Sequence, residues 1–135
     1  LFTYRSSHNN QLCRVTEKHI NNYLKKYHKT ISVKMFRTWT ANHTLLRELL
    51  KIEAPKSERQ SKKNINRAVK KAALSMHHTA GVSKKSYMNN EIIDLYQENP
   101  QNFYKIIGGF RKANGNMPSI DRTLNLLLMY LNSRT

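Results

Sequence analysis

The amino-acid sequence predicts a mostly α-helical fold. Apolar residues recur at helical spacing in several windows, and capping residues stand just ahead of those windows. No stretch alternates apolar and polar residues strongly enough to require a sheet. At 135 residues, the chain is long enough for one helical domain around a single core.

Taken in order, Leu1-Phe2-Thr3-Tyr4 reads as the end of an extended or loop element, and Ser6 to Gln11 as polar turn. Thr16 is placed to cap a helix running to about Tyr27, with Ile20, Tyr23, Leu24 and Tyr27 on its apolar face. Ser32 is placed to cap a second helix reaching about Lys51. Phe36, Trp39, Leu46 and Leu50 lie near one stripe of it, while Lys34 and Arg37 share another face. Thr38, Thr40, Asn42 and Thr44 are mediocre helix formers, so a kink or loosening is expected there. Pro55 closes that unit, and Ser57-Glu58-Arg59-Gln60 has the form of a capping box, which starts a third helix at Glu58. Its apolar face holds Ile65, Ala68, Val69, Ala72, Ala73 and Met76, and its other faces are rich in lysine and arginine. His77-His78-Thr79-Ala80-Gly81 breaks the pattern, and Ser83 is expected to cap a short turn from Lys84 to Met88. A helix restarts at Asn89 or Asn90 and runs through Glu98. Asn99-Pro100 is a cap followed by proline at the first helical position, opening a short helix from about Gln101 to Ile107. Gly108-Gly109 and Gly115-Asn116-Met117-Pro118 bound an expected flexible stretch. A last helix runs from Asp121 to about Asn132, with Leu124, Leu127, Leu128 and Leu131 inward.

Charge is the strongest bulk property. Lys and Arg total 24 against 8 Asp and Glu, a formal +16. Such an excess attracts polyanions and supplies salt-dependent phosphate contacts. DNA or RNA is the leading partner, and an anionic membrane surface the second. No apolar run approaches the ~18 residues of a spanning helix, and no signal-peptide pattern opens the chain. Cys13 is the sole cysteine, so it makes no internal disulfide and defines no metal site, in keeping with a reducing compartment inside the cell, wherever DNA is. Glu91, Asp94 and Glu98 share one helix face, which a favourable helix start explains better than a metal site. No metal and no cofactor is expected. The chain begins at Leu1 and in mid-pattern, and reads as a fragment or processed product.

Arg37, His78 and Tyr87 carry little individually. An arginine on a helix is usually a solvated charge, a histidine after a helix often a cap, and a tyrosine in a short helix usually half-buried packing. Their surroundings change this. Ile31-Ser32-Val33-Lys34-Met35-Phe36-Arg37-Thr38-Trp39, with Asn42 five residues past the arginine, resembles the K-x-[FL]-R-T-[YW] segment of the type IB DNA topoisomerases. His78-Thr79-Ala80-Gly81-Val82-Ser83-Lys84-Lys85-Ser86-Tyr87 resembles the same family's H-T-x-x-[IV]-S-K-[KR]-x-Y segment. Leu1-Phe2 with Ile20-Asn21-Asn22-Tyr23-Leu24 is similar to the family's lead-in. The resemblance spans about Leu1 to Leu95 and is closest to the short enzymes of poxviruses and other large DNA viruses, because only about forty residues separate Arg37 from His78.

The resemblance implies a compact helical bundle of the topoisomerase IB and tyrosine-recombinase catalytic fold, with any β hairpins lying before this chain. It implies one domain over residues 1–135, a C-terminal part of a catalytic domain, in which 1–98 is the matched core and 99–135 a helical tail. It also implies an isomerase that relaxes supercoiled double-stranded DNA through a 3′-phosphotyrosyl intermediate, as a monomer and without ATP. Tyr87 would be the nucleophile. Arg37, whose guanidinium matches two non-bridging oxygens, and His78 would stabilise the phosphate in the transition state. A phenol with pKa of about 10 needs a cationic pocket or a proton acceptor to attack well. Lys34, Asn42, Ser83, Lys84, Lys85, Lys62, Lys63 and Arg67 are the expected DNA-binding and supporting residues, through phosphate contacts more than base readout. The family's second arginine and its leaving-group lysine precede the Arg37 block. Arg5, Arg14 and Lys18 are candidates by type alone, so this chain by itself is expected to bind DNA weakly and cleave it poorly or not at all.

Two other readings cover parts of the pattern. A tyrosine recombinase or integrase shares the arginine, histidine and tyrosine, but usually has histidine where Lys34 stands and a Leu-Gly-His lead where this chain has Met76-His77-His78. A non-catalytic basic helical module explains the charge but not two ordered blocks.

Overall fold

The computed structural model describes residues 2–116 and 118–134, so the parts of the sequence reading that fall on Leu1 and Met117 lie outside the described residues. These residues form seven helices and one two-stranded sheet, a mostly α protein as expected. The chain divides into two compact units, Leu1–Arg37 and Thr38–Thr135.

The first unit contains a hairpin within the chain, where the sequence reading placed hairpins only before it. Strand β1, Thr3–Arg5, pairs antiparallel with β2, Leu12–Arg14, so that Thr3 faces Arg14 and Arg5 faces Leu12. Three residues per strand are too few for alternation to register in a sequence. Helix α1, Glu17–Leu24, starts at Thr16, whose side chain accepts from the His19 amide while the His19 ring accepts from the Thr16 amide. It stops at Leu24, and residues 25–27 continue only as turn. Ile20, Tyr23 and Leu24 of the expected stripe lie on α1, Tyr27 falls in the turn after it, and no residue of α1 is buried. Helix α2 begins at Val33, whose amide donates to Asn21 Oδ1 at 2.8 Å.

In the second unit, α2 runs unbroken to Leu50, without the expected loosening at its threonines. Thr44 and Asn42 are buried here, and Asn42 returns a hydrogen bond to the Thr38 carbonyl, so tertiary packing overrides their weak propensity. Burial falls on Ala41, Leu45, Leu46 and Leu49, while Phe36 and Trp39 of the expected stripe stay exposed. Helix α3, Glu58–Ser75, is capped by Ser57. The Gln60 side chain accepts from the Lys56 amide, one residue before the capping-box position. Ile65, Ala68, Val69, Ala72 and Ala73 are buried as expected.

Helix α4, Ala80–Ser86, is capped by Thr79, not Ser83. Helix α5, Asn90–Glu98, is capped by Asn89, and α6, Pro100–Asn114, by Asn99. The sequence predicts an end to α6 near Ile107. The helix instead passes through Gly108-Gly109 and ends at Gly115, which takes the left-handed φ of 71° that glycine tolerates best. Phe103 and Ile107 anchor α6 in the core, and Phe110 and Ile106 pack against it, which outweighs the roughly 1 kcal/mol that each helical glycine costs. Helix α7, Ile120–Ser133, buries Leu124, Leu127 and Leu131. Helices α3 to α7 pack in succession, α3 on α4 and α5, α5 on α6, and α6 on α7. The core centres on Leu45, Leu49, Ile92, Tyr96, Phe103 and Leu127. Tyr96 accepts from Asn64 Nδ2 at 3.0 Å, and Tyr104 donates to the Ile52 carbonyl at 3.1 Å, pinning α6 to the end of α2.

Glu48, buried on α2, is bonded by Lys71 Nζ at 3.1 Å and Lys51 Nζ at 3.2 Å. Burial pushes its carboxyl upward, but the two lysines outweigh this and hold it below the ordinary carboxylate range. A depressed carboxylate contributes stability that is present above its unfolded value and lost as pH falls through its folded value. Glu48→Gln is therefore expected to cost about 1–2 kcal/mol near neutral pH, less than a fully buried pair because both ammonium groups are half in water. In thermal melts the gap between wild type and variant should close as pH drops through and below the carboxylate range. A gap that persists in acid would refute the ion-pair account.

Candidate active site

The site is built where α3 turns into α4. The amides of His77 and His78 donate to the carbonyls of Leu74 and Ala73 at 3.2 and 3.0 Å. With His77 at the left-handed φ of 56°, these two bonds form a Schellman motif. The chain reverses there without a glycine, and His78 becomes the first residue beyond the reversal. Thr79 is extended, and its hydroxyl accepts from the Val82 amide at 3.3 Å, which starts α4. That hydroxyl stands one position before the first helical residue, so Thr79 takes the cap and Ser83 falls inside the helix.

Tyr87 terminates α4. Its amide and that of Met88 both donate to the Ser83 carbonyl, at 3.0 and 3.2 Å. The two turns of α4 bring the His78 and Tyr87 rings together, with centroids 5.5 Å apart and planes 22° from parallel. At that distance the rings are offset rather than face to face, an arrangement aromatic pairs favour. Both residues are half-buried, and Tyr87 packs against the core cluster.

Asn42 fixes the segment that carries Tyr87. Its Nδ2 donates to the Tyr87 carbonyl at 2.9 Å and to the Thr38 carbonyl at 2.8 Å. Its Oδ1 accepts from the Asn89 amide at 2.7 Å. One buried amide side chain thus satisfies backbone groups on both sides of Met88, which is itself buried. The spacing of Asn42 from Arg37 predicts a supporting residue but no contact for it.

The remaining candidates fall in several places. Lys34 and Arg37 are exposed on the opening turns of α2, in the first unit. Lys84 and Lys85 are exposed in the last turn of α4, where cations suit the helix dipole. Ser83 is fully buried, and its hydroxyl has no hydrogen-bond partner among the described residues, so this side chain is not on a DNA-facing surface. Lys62 bonds Glu58 at 2.7 Å. It lies on a different flank of α3 from Lys63 and Arg67, which line a groove of about 720 Å³ with Arg59, Lys71, Lys51 and Glu48. Arg59, Lys63, Arg67 and Lys71 are spaced by four, a signal that could have singled out Arg59 and Lys71 as well.

One link has no counterpart in the sequence pattern. Trp39 Nε1 donates to Asp121 Oδ1 at 3.1 Å, and His43 Nε2 lies 3.6 Å from the same oxygen, joining α7 to α2. A separation of 82 residues between Trp39 and Asp121 leaves no local pattern to find. Among the described residues no group of three or more His, Cys, Asp or Glu is placed to hold a metal ion, and no helix is long and apolar enough to cross a membrane.

The amino-acid sequence is similar to those of known proteins. The family model of the eukaryotic DNA topoisomerase I catalytic core matches residues 1–112. A DNA topoisomerase 1B of Acanthamoeba polyphaga mimivirus is 37% identical over 110 residues, covering 76% of this chain and 33% of the viral protein. The chain therefore spans about a third of that relative's length. On the extent of the family match and the identity to the viral enzyme, the chain belongs to the type IB DNA topoisomerases, as a piece of their catalytic core.

Proposed function

We propose that this chain supplies the nucleophile-bearing part of an enzyme that relaxes supercoiled double-stranded DNA by cutting and resealing one strand. The observation that carries this reading is the stacked His78–Tyr87 pair, with the Tyr87 backbone held by Asn42. In the reaction, Tyr87 Oη attacks the phosphorus and the bond from phosphorus to the 5′ oxygen breaks. A 3′-phosphotyrosyl link forms, and the 5′ oxygen departs as a hydroxyl after taking a proton from an acid that this chain does not assign. The phenol proton passes to solvent or to a nearby base. The new ester preserves the energy of the broken linkage, so resealing needs neither ATP nor a metal.

Arg37 offers two parallel N–H donors to the non-bridging oxygens as charge builds on them. His78 offers a further donor beside Tyr87. Asn42 is a positioning residue, acting through the backbone that carries the nucleophile. Lys84 and Lys85 flank Tyr87 in sequence and serve the neighbouring phosphates together with Lys34, Lys63 and Arg67, while Lys62 contributes less because Glu58 already occupies it. Ser83 serves the packing of α4, not the DNA. The partner is duplex DNA, and the chain acts as one piece of a single catalytic domain.

The test is an oligonucleotide duplex labelled at either end, offered to a complete catalytic domain that includes these residues. An adduct on the 3′ phosphate, with a free 5′ hydroxyl on the other product and relaxation of plasmids that lack any paired site, supports the proposal. An adduct on the 5′ phosphate, or strand exchange that depends on two specific sites, overturns it. These 135 residues alone should relax a plasmid poorly or not at all, and efficient relaxation by them would refute a leaving-group acid supplied from elsewhere.

A further inference from the structure

We propose that Asp121, in the first turn of α7, is a positioning residue for the reaction, acting on Tyr87 through the turn of α2 that carries Asn42. The inference rests on the function proposed above, and every residue it uses belongs to the second unit. The family match ends at residue 112, so α7 lies beyond it.

Two neighbouring rows of α2 are bonded to different partners. Thr38 and Asn42, four residues apart, form the first row. Asn42 spans from the Thr38 carbonyl to the Tyr87 carbonyl and the Asn89 amide, at 2.8, 2.9 and 2.7 Å. Trp39 and His43 form the second row, each one residue further along. Trp39 Nε1 donates to Asp121 Oδ1 at 3.1 Å, and His43 Nε2 lies 3.6 Å from that oxygen. One carboxylate oxygen therefore spans the same turn of α2 that Asn42 spans, but from α7 instead of from the corner between α4 and α5.

Asp121 is a fixed point because its own helix is fixed. Ser119 caps α7, its hydroxyl accepting from the Arg122 amide at 3.3 Å, and a negative charge in the first turn suits that end of a helix. Thr123, Leu124 and Leu127, which follow on α7, are fully buried. The bonds of Asn42 weaken steeply once their geometry departs from the ideal. Rotation of α2 about its axis strains them together, and the bond from Asp121 opposes that rotation. What reaches Tyr87 is the placement of its backbone, since Asn42 holds its carbonyl.

A direct contact of Trp39 with DNA fits less well. An indole has one N–H, and Asp121 takes it. The carboxylate that does so repels a phosphate brought to the same edge.

The test places Asp121→Ala and Asp121→Asn in a complete catalytic domain that includes these residues, with two readouts. Hydrogen exchange at the Asn89 amide, which donates to Asn42 Oδ1, reports on the clamp without DNA. Asp121→Ala is expected to speed it roughly tenfold, while amides in the middle of α3 keep their protection. Its cleavage rate should fall roughly fivefold, with DNA affinity within about twofold of wild type. Asp121→Asn keeps an acceptor for the indole and should restore most of both, and Trp39→Phe, which removes only the donor side of that bond, should behave like Asp121→Ala. Because the effect passes through Asn42, Asp121→Ala added to Asn42→Ala should slow cleavage little further. Unchanged exchange at Asn89, additive losses of rate, or a lower melting temperature with an unchanged rate would each overturn the proposal. So would a loss of affinity equal to the loss of rate, which would put Trp39 or Asp121 on the DNA-binding surface. Faster exchange at Asn89 in a protein whose wild type never joins DNA covalently leaves the link from Asp121 to the Tyr87 segment standing and counts against the proposed reaction.

Discussion

Tyr87→Phe, in a complete catalytic domain, is expected to abolish covalent attachment to DNA, a fall in cleavage on the order of 10³-fold or more. The substitution deletes one hydroxyl. The bonds that hold the residue are made by its backbone amide and carbonyl, to Ser83 and Asn42, and these remain. The offset stack on His78 needs only the ring, so it remains too. Stability should move by no more than about 0.5 kcal/mol and DNA affinity by less than about twofold. Denaturing gels of the protein–DNA adduct, read beside a binding isotherm, separate the two effects. An adduct at wild-type level would move the nucleophile to another tyrosine, and a parallel loss of binding would reduce Tyr87 to a structural role.

The second large effect belongs to Asn42→Ala. Truncation unpairs the Tyr87 carbonyl and the Asn89 amide at a buried position, which costs about 1–3 kcal/mol. Because those groups bracket the residue proposed to carry the attacking oxygen, the cleavage rate should fall about 10–100-fold while DNA affinity stays within about twofold. Asn42→Asp makes the sharper comparison. It keeps an acceptor for the Asn89 amide but has no donor for the Tyr87 carbonyl, and so should not rescue cleavage. A purely structural residue would lower the melting temperature without splitting rate from affinity. Equal losses of both, or full rescue by aspartate, would sink the positioning role.

Local chemistry was the legible part of the sequence. The caps at Thr16, Ser57, Asn89 and Asn99 could be read because a short side chain answers an amide two or three residues away. The apolar face of α3 could be read because one helix face points into one core. Where two local signals competed, reading alone did not decide. Thr79 and Ser83 both have capping hydroxyls, and the Schellman reversal at His77 favours the earlier one by placing Thr79 at the entry to α4. Gly108-Gly109 reads as a break, yet packing by residues on either side carries α6 through it. Periodicity marked Ile20, Tyr23 and Leu24 of α1 but carried the helix one turn too far, to Tyr27, and it says that a face is apolar, not that anything covers it. Of the site, the residue types and their order stood in the sequence. The clamp by Asn42 did not, since its partners lie 45 and 47 residues away.

Helix α4 is seven residues long, well under the ~12–15 at which an isolated helix begins to hold itself together in water. It sits between a reversal on one side and the Asn42 clamp on the other, and its single cap is a threonine hydroxyl. Its order is therefore imposed by neighbours and not generated within it. A segment of that kind opens in local fluctuations well before the long helices around it give way. Tyr87 and His78 stand at its two ends, so such an opening separates them, and reclosing restores both at once. The time Tyr87, the proposed nucleophile, spends beside His78 is then set by how firmly α2 and α3 grip this corner, and distant changes in those helices can reach the pair without touching it.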